Sequence, residues 1–475
     1  MPSKSEKIHH LYNRAGFGLS LEQLLQKRKL KLRKELVNLL KKGTKDVPLT
    51  VIQENPFVSL GVDLQNKTLD RNEVNMIFST RVKESREKLK GLTIAWMDQM
   101  IHRDTMVREK ITLFWHDHFG VRSNNGYHAQ LHNNLLRKHA LGKYRDLLLA
   151  VAKDPAMLQF LNNQQNNKRK PNENFARELL ELYTLGRGHY TESDIKSAAK
   201  AFTGWKFDRF SCEFRFNSRQ HDTGDKVFMG RSGSFNGEEI IEIILSNKRT
   251  AYYLSAKLFQ YYVSDQADEA IIGEMADRLF ESDYDIGDLM SYIFKADWFY
   301  EARFINSKIK SPHELIHGVR RHFGFSAGRP EVLVYLQNSL RHRLFFPPSV
   351  NGWPVGREWI NSSSLVNRMR LVSLLAKNEA LGIRLKEDLD NDKLAALNGA
   401  ELLKTCRMNW AGIEEKTAGC TDEEMIDLLT AFLTNKELDE KNRGRILRTI
   451  QKKKEDNKVK WLTLTIAGLP EYQLA

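Results

Sequence analysis

The sequence predicts a mostly α-helical protein: a large multi-helical domain with a minor β-hairpin. Apolar residues recur three and four positions apart over most of the 475 residues, which is the spacing of an amphipathic helix. Strand-like alternation is confined to a short region after residue 210. A hydrophobic fraction of 41% can supply a buried core, and 11 prolines and 28 glycines are too few for low-complexity linkers. We therefore expect a folded, helical chain.

The first part of the chain shows helical spacing in several segments. Leucines recur at positions 21, 24, 25, 32, 36, 39 and 40. A charged helical region begins near residue 71 and runs into a second helix that ends in the aromatic run Phe114–Phe119. Asn124-Asn125-Gly126 interrupts this pattern, and another helix is predicted from about Tyr127 to Ala140.

The stretch from Pro171 to Trp205 predicts a pair of helices. At about 100° per residue, one face of the first helix is polar and carries Glu173, Asn174, Arg177, Glu178 and Glu181. Glycines at positions 186 and 188 end this helix, because glycine adopts the left-handed C-terminal conformation without a steric penalty. Thr191 is placed to cap the second helix.

The helical spacing of apolar residues gives way to short strand-like segments after residue 205. Cys212–Phe216 and Val227–Gly230 are predicted to form a small β-hairpin around the loop His221–Lys226. Helical spacing then dominates to about residue 377, with a loop rich in proline, glycine and tryptophan at 345–359. We predict a main helical domain at 9–380 and a C-terminal helical segment at 381–475 packed on it.

Charge and cysteine content bound the partners and the compartment. The net charge of +14 favours anionic partners, and basic residues bunched at 441–454 leave a nucleic-acid-binding role open. Three cysteines without a CxxC arrangement indicate reduced thiols and exclude a cysteine-based zinc site. The N-terminal residues lack the apolar segment of a signal peptide, and no membrane span is expected. These features predict a cytoplasmic protein.

Six sequence blocks occur in a fixed order and carry a family resemblance. They are HLYNRAGFG at 10–18, FWHDHF at 114–119, the helix pair that starts NENFARELLELYTLG, HDTGDKVFMG at 221–230, PPSVNGWPVGREWIN at 347–361, and the terminal LPEYQ. From about residue 9 to its end the chain resembles a bacterial family catalogued as domain of unknown function eighteen-hundred. The resemblance implies a candidate site in these blocks, but no reaction, because the family has no established activity.

His118 is the first candidate for chemistry. His116 and His118 lie about 200° apart on a helix and therefore cannot bind one metal ion together. His118 is the member of the pair that matches the family block, so we predict it as a metal ligand. The alternative is a histidine packed among aromatic side chains at a helix end. His128 and His132, four residues apart, form a better chelating pair but lie outside the family blocks.

The acidic helix face and the loop that begins at His221 supply the remaining candidates. Carboxylates three residues apart project together, and helix-borne carboxylates combined with histidine bind divalent metals. We predict His118, Glu178, Glu181 and His221 as ligands of a divalent metal ion. Glu178 and Asp222 would act as bases or orienting carboxylates, and Arg177 and Lys226 would neutralise developing negative charge. The alternatives are a solvated helix face with an ion-pair ladder and a capped hairpin turn.

These candidates lead to one functional hypothesis and two rivals. The hypothesis is a metal-assisted hydrolase or transferase acting on an anionic or carbohydrate-like substrate. It requires His118, the acidic helix and the His221 loop to converge. The loop Asn351–Trp359, with Arg357 between its two tryptophans, could form a wall for a sugar or a base, or pack in the core. The rivals are a non-catalytic binding or assembly protein and a nucleic-acid-binding protein.

Overall fold

A computed structural model of the chain describes residues 2–43, 48–55, 58, 71–102, 104–379, 399–453 and 455–475. The described part is mostly α-helical, as predicted, with two small antiparallel sheets. Its helices are Lys4–Ala15, Leu21–Lys27, Leu32–Gly43, Arg71–Ile101, Met106–His118, Gly126–His139, Tyr144–Lys153, Pro155–Phe160, Asn174–Glu178, Glu192–Ala201, Gly237–Leu245, Lys248–Tyr262, Glu269–Glu281, Ile286–Lys295, Pro312–His322, Glu331–Ser339, Ser362–Lys377, Gly399–Leu403, Ala411–Thr417, Asp422–Thr434, Glu440–Ile450 and Glu455–Ala467. Among these described helices, none has the length and apolar character needed to cross a membrane.

Local capping residues explain where several helices begin. The Thr191 hydroxyl accepts a hydrogen bond from the Asp194 backbone N–H at 3.1 Å, and the Asp194 carboxylate accepts one from the Thr191 backbone N–H at 2.9 Å. Ser311 and Glu314 form the same reciprocal pair at the start of helix Pro312–His322. Each pair satisfies N–H groups that the first helical turn leaves free and contributes roughly 1 kcal/mol. The predicted Thr191 cap is confirmed.

The first helix of the central pair is less regular than its sequence predicts. Helix Asn174–Glu178 continues as a π-helical turn, Leu179–Thr184, in which the backbone N–H groups of Leu185 and Gly186 both donate to the Leu180 carbonyl. A π turn inserts an extra residue into the helix. The projection at 100° per residue therefore holds only as far as Glu178. Glu181 nevertheless stays within electrostatic reach of Glu178 and Arg177.

The strand region forms two hairpins instead of one. Strand β1 (Trp205–Phe207) pairs with β2 (Phe214–Phe216), and β3 (Lys226–Phe228) pairs with β4 (Arg231–Gly233), both antiparallel. The two predicted strands are present but belong to different sheets. The sequence prediction paired them with each other because β1 and β4 are too short to show an alternating pattern.

A buried ionic network joins three helices behind the central region. The Glu109 carboxylate accepts hydrogen bonds from Arg137 Nη2 at 2.8 Å, Arg108 Nη2 at 3.1 Å and Trp96 Nε1 at 2.9 Å. Glu109 and Trp96 are fully buried, and both arginines are nearly so. Charges can be buried in this way only when they are paired and hydrogen-bonded. The network fixes helix Met106–His118 against its neighbours.

The C-terminal segment packs beside the chain around residues 308–310. The Lys310 backbone N–H donates to the Gln473 carbonyl at 2.8 Å, and the Ala475 N–H donates to the Lys308 carbonyl at 2.9 Å. Tyr472 is buried against His322 and Phe323. The predicted boundary between residues 380 and 381 lies outside the described residues, and the division into two parts stays a prediction.

Candidate functional site

A cavity of about 240 Å³ lies where four parts of the chain meet. The last turn of helix Met106–His118 forms one side, and the end of helix Lys248–Tyr262 forms another. The segment around residues 308–314 and the loop that carries the two tryptophans of the PPSVNGWPVGREWIN block complete it. Two of the six family-like blocks, FWHDHF and PPSVNGWPVGREWIN, therefore line the cavity. A third, LPEYQ, packs against residues 308–310 next to it.

Asp117 is one of four carboxylates that line this cavity, together with Asp265, Glu314 and Glu358. Its Oδ1 accepts a hydrogen bond from the Trp353 backbone N–H at 2.7 Å. Burial raises the pKa of Asp117 to about 7, although this hydrogen bond and the positive charges of Lys257 and Lys308 act in the opposite direction. Near neutral pH the carboxyl group therefore exists in both its protonated and its ionised form, as a general acid or base requires.

The close approach of Trp353 to Asp117 depends on Gly352. Gly352 has a φ of +79°, and a Cβ atom at this position would lie 2.3 Å from Asp117 Oδ1 and 2.4 Å from the Asp117 carbonyl oxygen. Only glycine combines this left-handed backbone with room for the carboxylate. The glycine of the NGW motif thus brings a backbone N–H to the carboxylate.

His118 lines the same cavity and is neutral. Its Nε2 lies 3.3 Å from the Tyr144 hydroxyl, which donates its own hydrogen to the Tyr183 carbonyl at 2.6 Å. The hydroxyl can therefore only accept, so Nε2 of His118 carries the proton and Nδ1 has a free lone pair. Burial lowers the pKa of His118 to about 3. Phe114 stacks on the ring at 5.9 Å, so the predicted histidine belongs both to the cavity and to an aromatic cluster.

Aromatic side chains form one wall of the cavity. Trp353 and Trp359 both line it. Between them lies His342, whose ring stacks on Trp359 at 4.9 Å and is tilted against Trp353 at 4.9 Å. Aromatic faces of this kind bind flat or ring-shaped apolar surfaces. The position of this loop is thus consistent with a wall for a ring-shaped ligand. Both indoles are also largely buried, as expected if they pack in the core.

Two lysines bring positive charge to the cavity. Burial lowers the pKa of Lys257 from its ordinary value, whereas the charge of Asp117 raises it. Lys308 donates to the Tyr261 carbonyl, and burial lowers its pKa to about 8. Glu314 lines the cavity beside Lys308. Burial alone would raise the pKa of Glu314, but Lys110 and Lys308 hold it below its ordinary value. The cavity lining therefore combines two lysines, Lys257 and Lys308, with its four carboxylates.

The acidic helix face lies outside the residues that line this cavity. Arg177 bridges Glu192 at 2.9 Å and Glu173 at 3.2 Å. Glu181 accepts a hydrogen bond from Tyr190 at 2.8 Å and pairs with Arg187. Glu178 is partly buried, and burial together with the neighbouring charge of Glu181 raises its pKa. Arg177 and Glu181 thus take part in local ion pairs.

The loop that begins at His221 also lies outside the cavity-lining residues. His221 Nδ1 donates to the Thr203 carbonyl at 2.9 Å, so this nitrogen carries the proton. Lys226 is buried, and its ammonium donates to the carbonyls of Asp222 and Gly224, each at 2.8 Å. Asp222 Oδ1 accepts from the Gly224 N–H at 2.9 Å and lies 3.5 Å from the ammonium. These contacts hold the turn together.

The four predicted metal ligands do not converge. Within the part of the chain that the structure describes, no three His, Cys, Asp or Glu side chains are grouped so that they could hold a metal ion. Of the predicted ligands, His118 lines the cavity, whereas Glu178, Glu181 and His221 do not. The divalent metal therefore stays a prediction.

Sequence reasoning overlooked Asp117, Lys257, Lys308 and Glu314. Asp117 lies between the two histidines of the FWHDHF block, where a charged residue in a helical pattern is typical of a solvated face. The signal that could have identified it is its position inside a family-like block. No signal of that kind marks Lys257, because it lies in an ordinary amphipathic helix outside all six blocks.

Comparison with known families confirms the resemblance over nearly the whole chain. A family model described as Protein of unknown function (DUF1800) matches residues 10–474. Comparisons with curated proteins and with solved structures give no match. The matched range includes every residue that lines the cavity. The chain therefore belongs to the family described as Protein of unknown function (DUF1800).

Proposed function

We propose that this chain is an enzyme that catalyses hydrolysis or group transfer on a small anionic, ring-containing substrate in the cavity. The observation that carries the proposal is the Asp117 carboxyl group, which is partly exposed at the cavity wall and whose pKa desolvation raises to about 7. Buried titratable groups with strongly perturbed pKa values in a concave site are typical of catalytic residues.

Asp117 is the proton-transfer group in this proposal. In its ionised form it takes a proton from a nucleophilic hydroxyl or water, and in its protonated form it gives one to the leaving group. The Trp353 backbone N–H holds one carboxylate oxygen, which leaves the other oxygen as the atom that exchanges the proton. A positioned group of this kind contributes about 10²–10⁴-fold to a reaction rate.

The other cavity residues account for the substrate class. Lys257 and Lys308 attract a negatively charged group, and they act as electrostatic stabilisers when charge develops during the reaction. Trp353 and Trp359 offer aromatic faces to a ring. A volume of about 240 Å³ is below the range of sites for drug-sized ligands. The proposed substrate is therefore a single charged sugar ring or a compound of similar size.

The full-length protein and its Asp117→Asn variant test this proposal against a panel of sugar phosphates and uronic-acid glycosides. Asparagine keeps the shape and the acceptor for the Trp353 N–H but cannot transfer a proton, so we expect kcat to fall by about 10²–10⁴-fold. Asp225→Asn, in an exposed loop, is the matched control and should retain activity. Turnover by Asp117→Asn at the wild-type rate would refute the catalytic role.

The non-catalytic rival and the metal-assisted form of the hypothesis each predict a distinct outcome. Saturable binding of a panel compound without turnover by the wild type would favour the non-catalytic binding protein. The metal-assisted form of the hypothesis predicts a stoichiometric divalent metal in elemental analysis of the purified protein, and loss of activity on substituting His118 or Glu178. Neither result is required for the acid–base role of Asp117.

A further inference from the structure

Five buried basic residues lie around Glu314, a carboxylate of the cavity lining. We call these residues the cationic cluster: Arg14, Lys110, Lys308, Lys310 and Arg368. Each is at most 7% exposed. They come from widely separated parts of the chain, and Lys308 is the member that lines the cavity. Such a concentration of positive charge in the interior is unusual, because buried charges are normally paired one to one.

Few carboxylates among the described residues compensate this charge. Glu314 pairs with Lys110 and acts electrostatically on all five cations. Asp265, an exposed residue that also lines the cavity, acts on Arg14 and Lys308. Asp117 is near Lys308, and its own ionisation is suppressed by burial. Burial lowers the pKa of Lys310 to about 7 and that of Lys308 to about 8, so the positive excess of the cluster is smaller than its five basic groups suggest.

Backbone carbonyls and aromatic rings contact some of the charged groups of the cationic cluster. Lys310 donates to the Tyr472 carbonyl at 2.7 Å and lies 4.4 Å from the centre of the Tyr472 ring. Lys308 lies 5.0 Å from the centre of the Tyr261 ring. Arg14 donates to the Phe304 carbonyl at 2.9 Å, yet its Nε and Nη1 are buried without a hydrogen-bond partner. Carbonyls and aromatic faces return only a few kcal/mol of the cost of desolvating a charge.

We propose that the Lys308 end of the cavity binds the anionic group of the ligand, and that this group is a phosphoryl or a similarly multivalent oxyanion. This inference rests on the proposed function for its assignment of the cavity, and it adds the chemical class of the charged group. Direct contact comes from the Lys308 ammonium, while the other four cations act through the low-dielectric interior. A multivalent anion fits better than a single carboxylate because the cluster has more basic groups than the carboxylates that interact with it.

The probe is inorganic phosphate, titrated calorimetrically into the full-length protein at constant ionic strength. We expect saturable binding and a higher melting temperature in phosphate than in sodium chloride, because a ligand that binds the folded state stabilises it. Lys308→Met should weaken phosphate binding at least about tenfold, as expected from the loss of one charge-assisted hydrogen bond. Lys308→Arg keeps the charge and should retain most of the affinity.

Lys310→Met is the matched control. Lys310 is equally buried in the cluster and likewise donates to a backbone carbonyl, but it does not line the cavity. Its loss should weaken binding less than the loss of Lys308. No saturable phosphate binding by the wild type would overturn the inference, even if neither methionine variant folds. Equal affinities for the wild type and Lys308→Met would overturn it as well.

Failure of this inference can be told apart from failure of the proposed function. Asp117→Asn should still bind phosphate, because the substitution adds no negative charge near Lys308. Phosphate binding by a protein with no turnover on the substrate panel would leave the anion site intact and reject the enzyme. Turnover of a substrate by a wild-type protein that does not bind phosphate would support the enzyme and reject the anion site.

Discussion

Replacing Asp117 by asparagine should stabilise the protein while it removes the proposed catalytic group. Burial makes the ionised carboxylate unfavourable in the fold, which is why its pKa is raised from 3.8 to about 7. Asparagine is neutral at every pH and nearly the same size, and its side-chain oxygen can still accept the Trp353 N–H. The variant therefore avoids the cost of burying a charge.

The size of this effect follows from proton linkage. The protonated Asp117 is the favoured form in the fold, so its contribution to stability is full below pH 3.8 and is lost as the pH rises through about 7. A shift from 3.8 to about 7 corresponds to about 2 kcal/mol at pH 5 and about 4 kcal/mol at pH 8. We expect Asp117→Asn to exceed the wild type in free energy of unfolding by these amounts.

Urea denaturation of both proteins between pH 5 and pH 9 measures the difference. The gain should grow up to about pH 7 and then level off, since the wild-type carboxyl is ionised above that pH. Asp225→Asn removes a carboxylate from an exposed loop and should show no such growth. A variant that is less stable than the wild type at pH 8, or a gain independent of pH, would refute the assignment of Asp117 as a desolvated carboxyl group whose ionised form is unfavourable in the fold.

Three further predictions test other parts of the argument. Among the described residues, nine histidines are nearly fully buried and have a pKa that is lowered chiefly by burial: His9, His10, His116, His118, His128, His313, His317, His322 and His342. Below pH 6.5 these histidines bind protons in the unfolded chain but stay neutral in the fold. The free energy of unfolding should therefore fall by roughly 1 kcal/mol per histidine for each pH unit below 6.5. Urea denaturation at pH 7 and pH 5.5 measures this loss. Gly352→Ala should lower the free energy of unfolding by more than ~2 kcal/mol and abolish the proposed activity, because the new Cβ atom would clash with Asp117 Oδ1. Gly188→Ala is its control: Gly188 also has a positive φ, +81°, but open space around it, so this variant measures the backbone strain without a clash. Glu109→Gln should lower the free energy of unfolding by about 3–5 kcal/mol, because two buried arginines lose their carboxylate, while the exposed Glu84→Gln should change it by less than about 0.5 kcal/mol.

Helix type and many helix starts were predictable because short-range interactions decide them. The Thr191–Asp194 cap needs residues three positions apart, and the apolar spacing needs only one helical turn. The π turn at Leu179–Thr184 was not predictable from that spacing, since the inserted residue changes the angular position of everything after it. Strands β2 and β3 lie near their predicted positions, but the prediction paired them with each other. Their true partners, β1 and β4, are too short to show an alternating pattern in the sequence.

The candidate site shows the same division. The sequence by itself determined a basic, mostly helical chain with six family-like blocks, and it identified His118 and the tryptophan loop as worth attention. Only the tertiary structure brought Asp117, Lys257 and Lys308 to one cavity with that loop and left Glu178, Glu181 and His221 outside it. The reason is that the pKa of a carboxyl group depends on its burial and on charges from distant parts of the chain. Neither can be inferred from the order of residues along one helix.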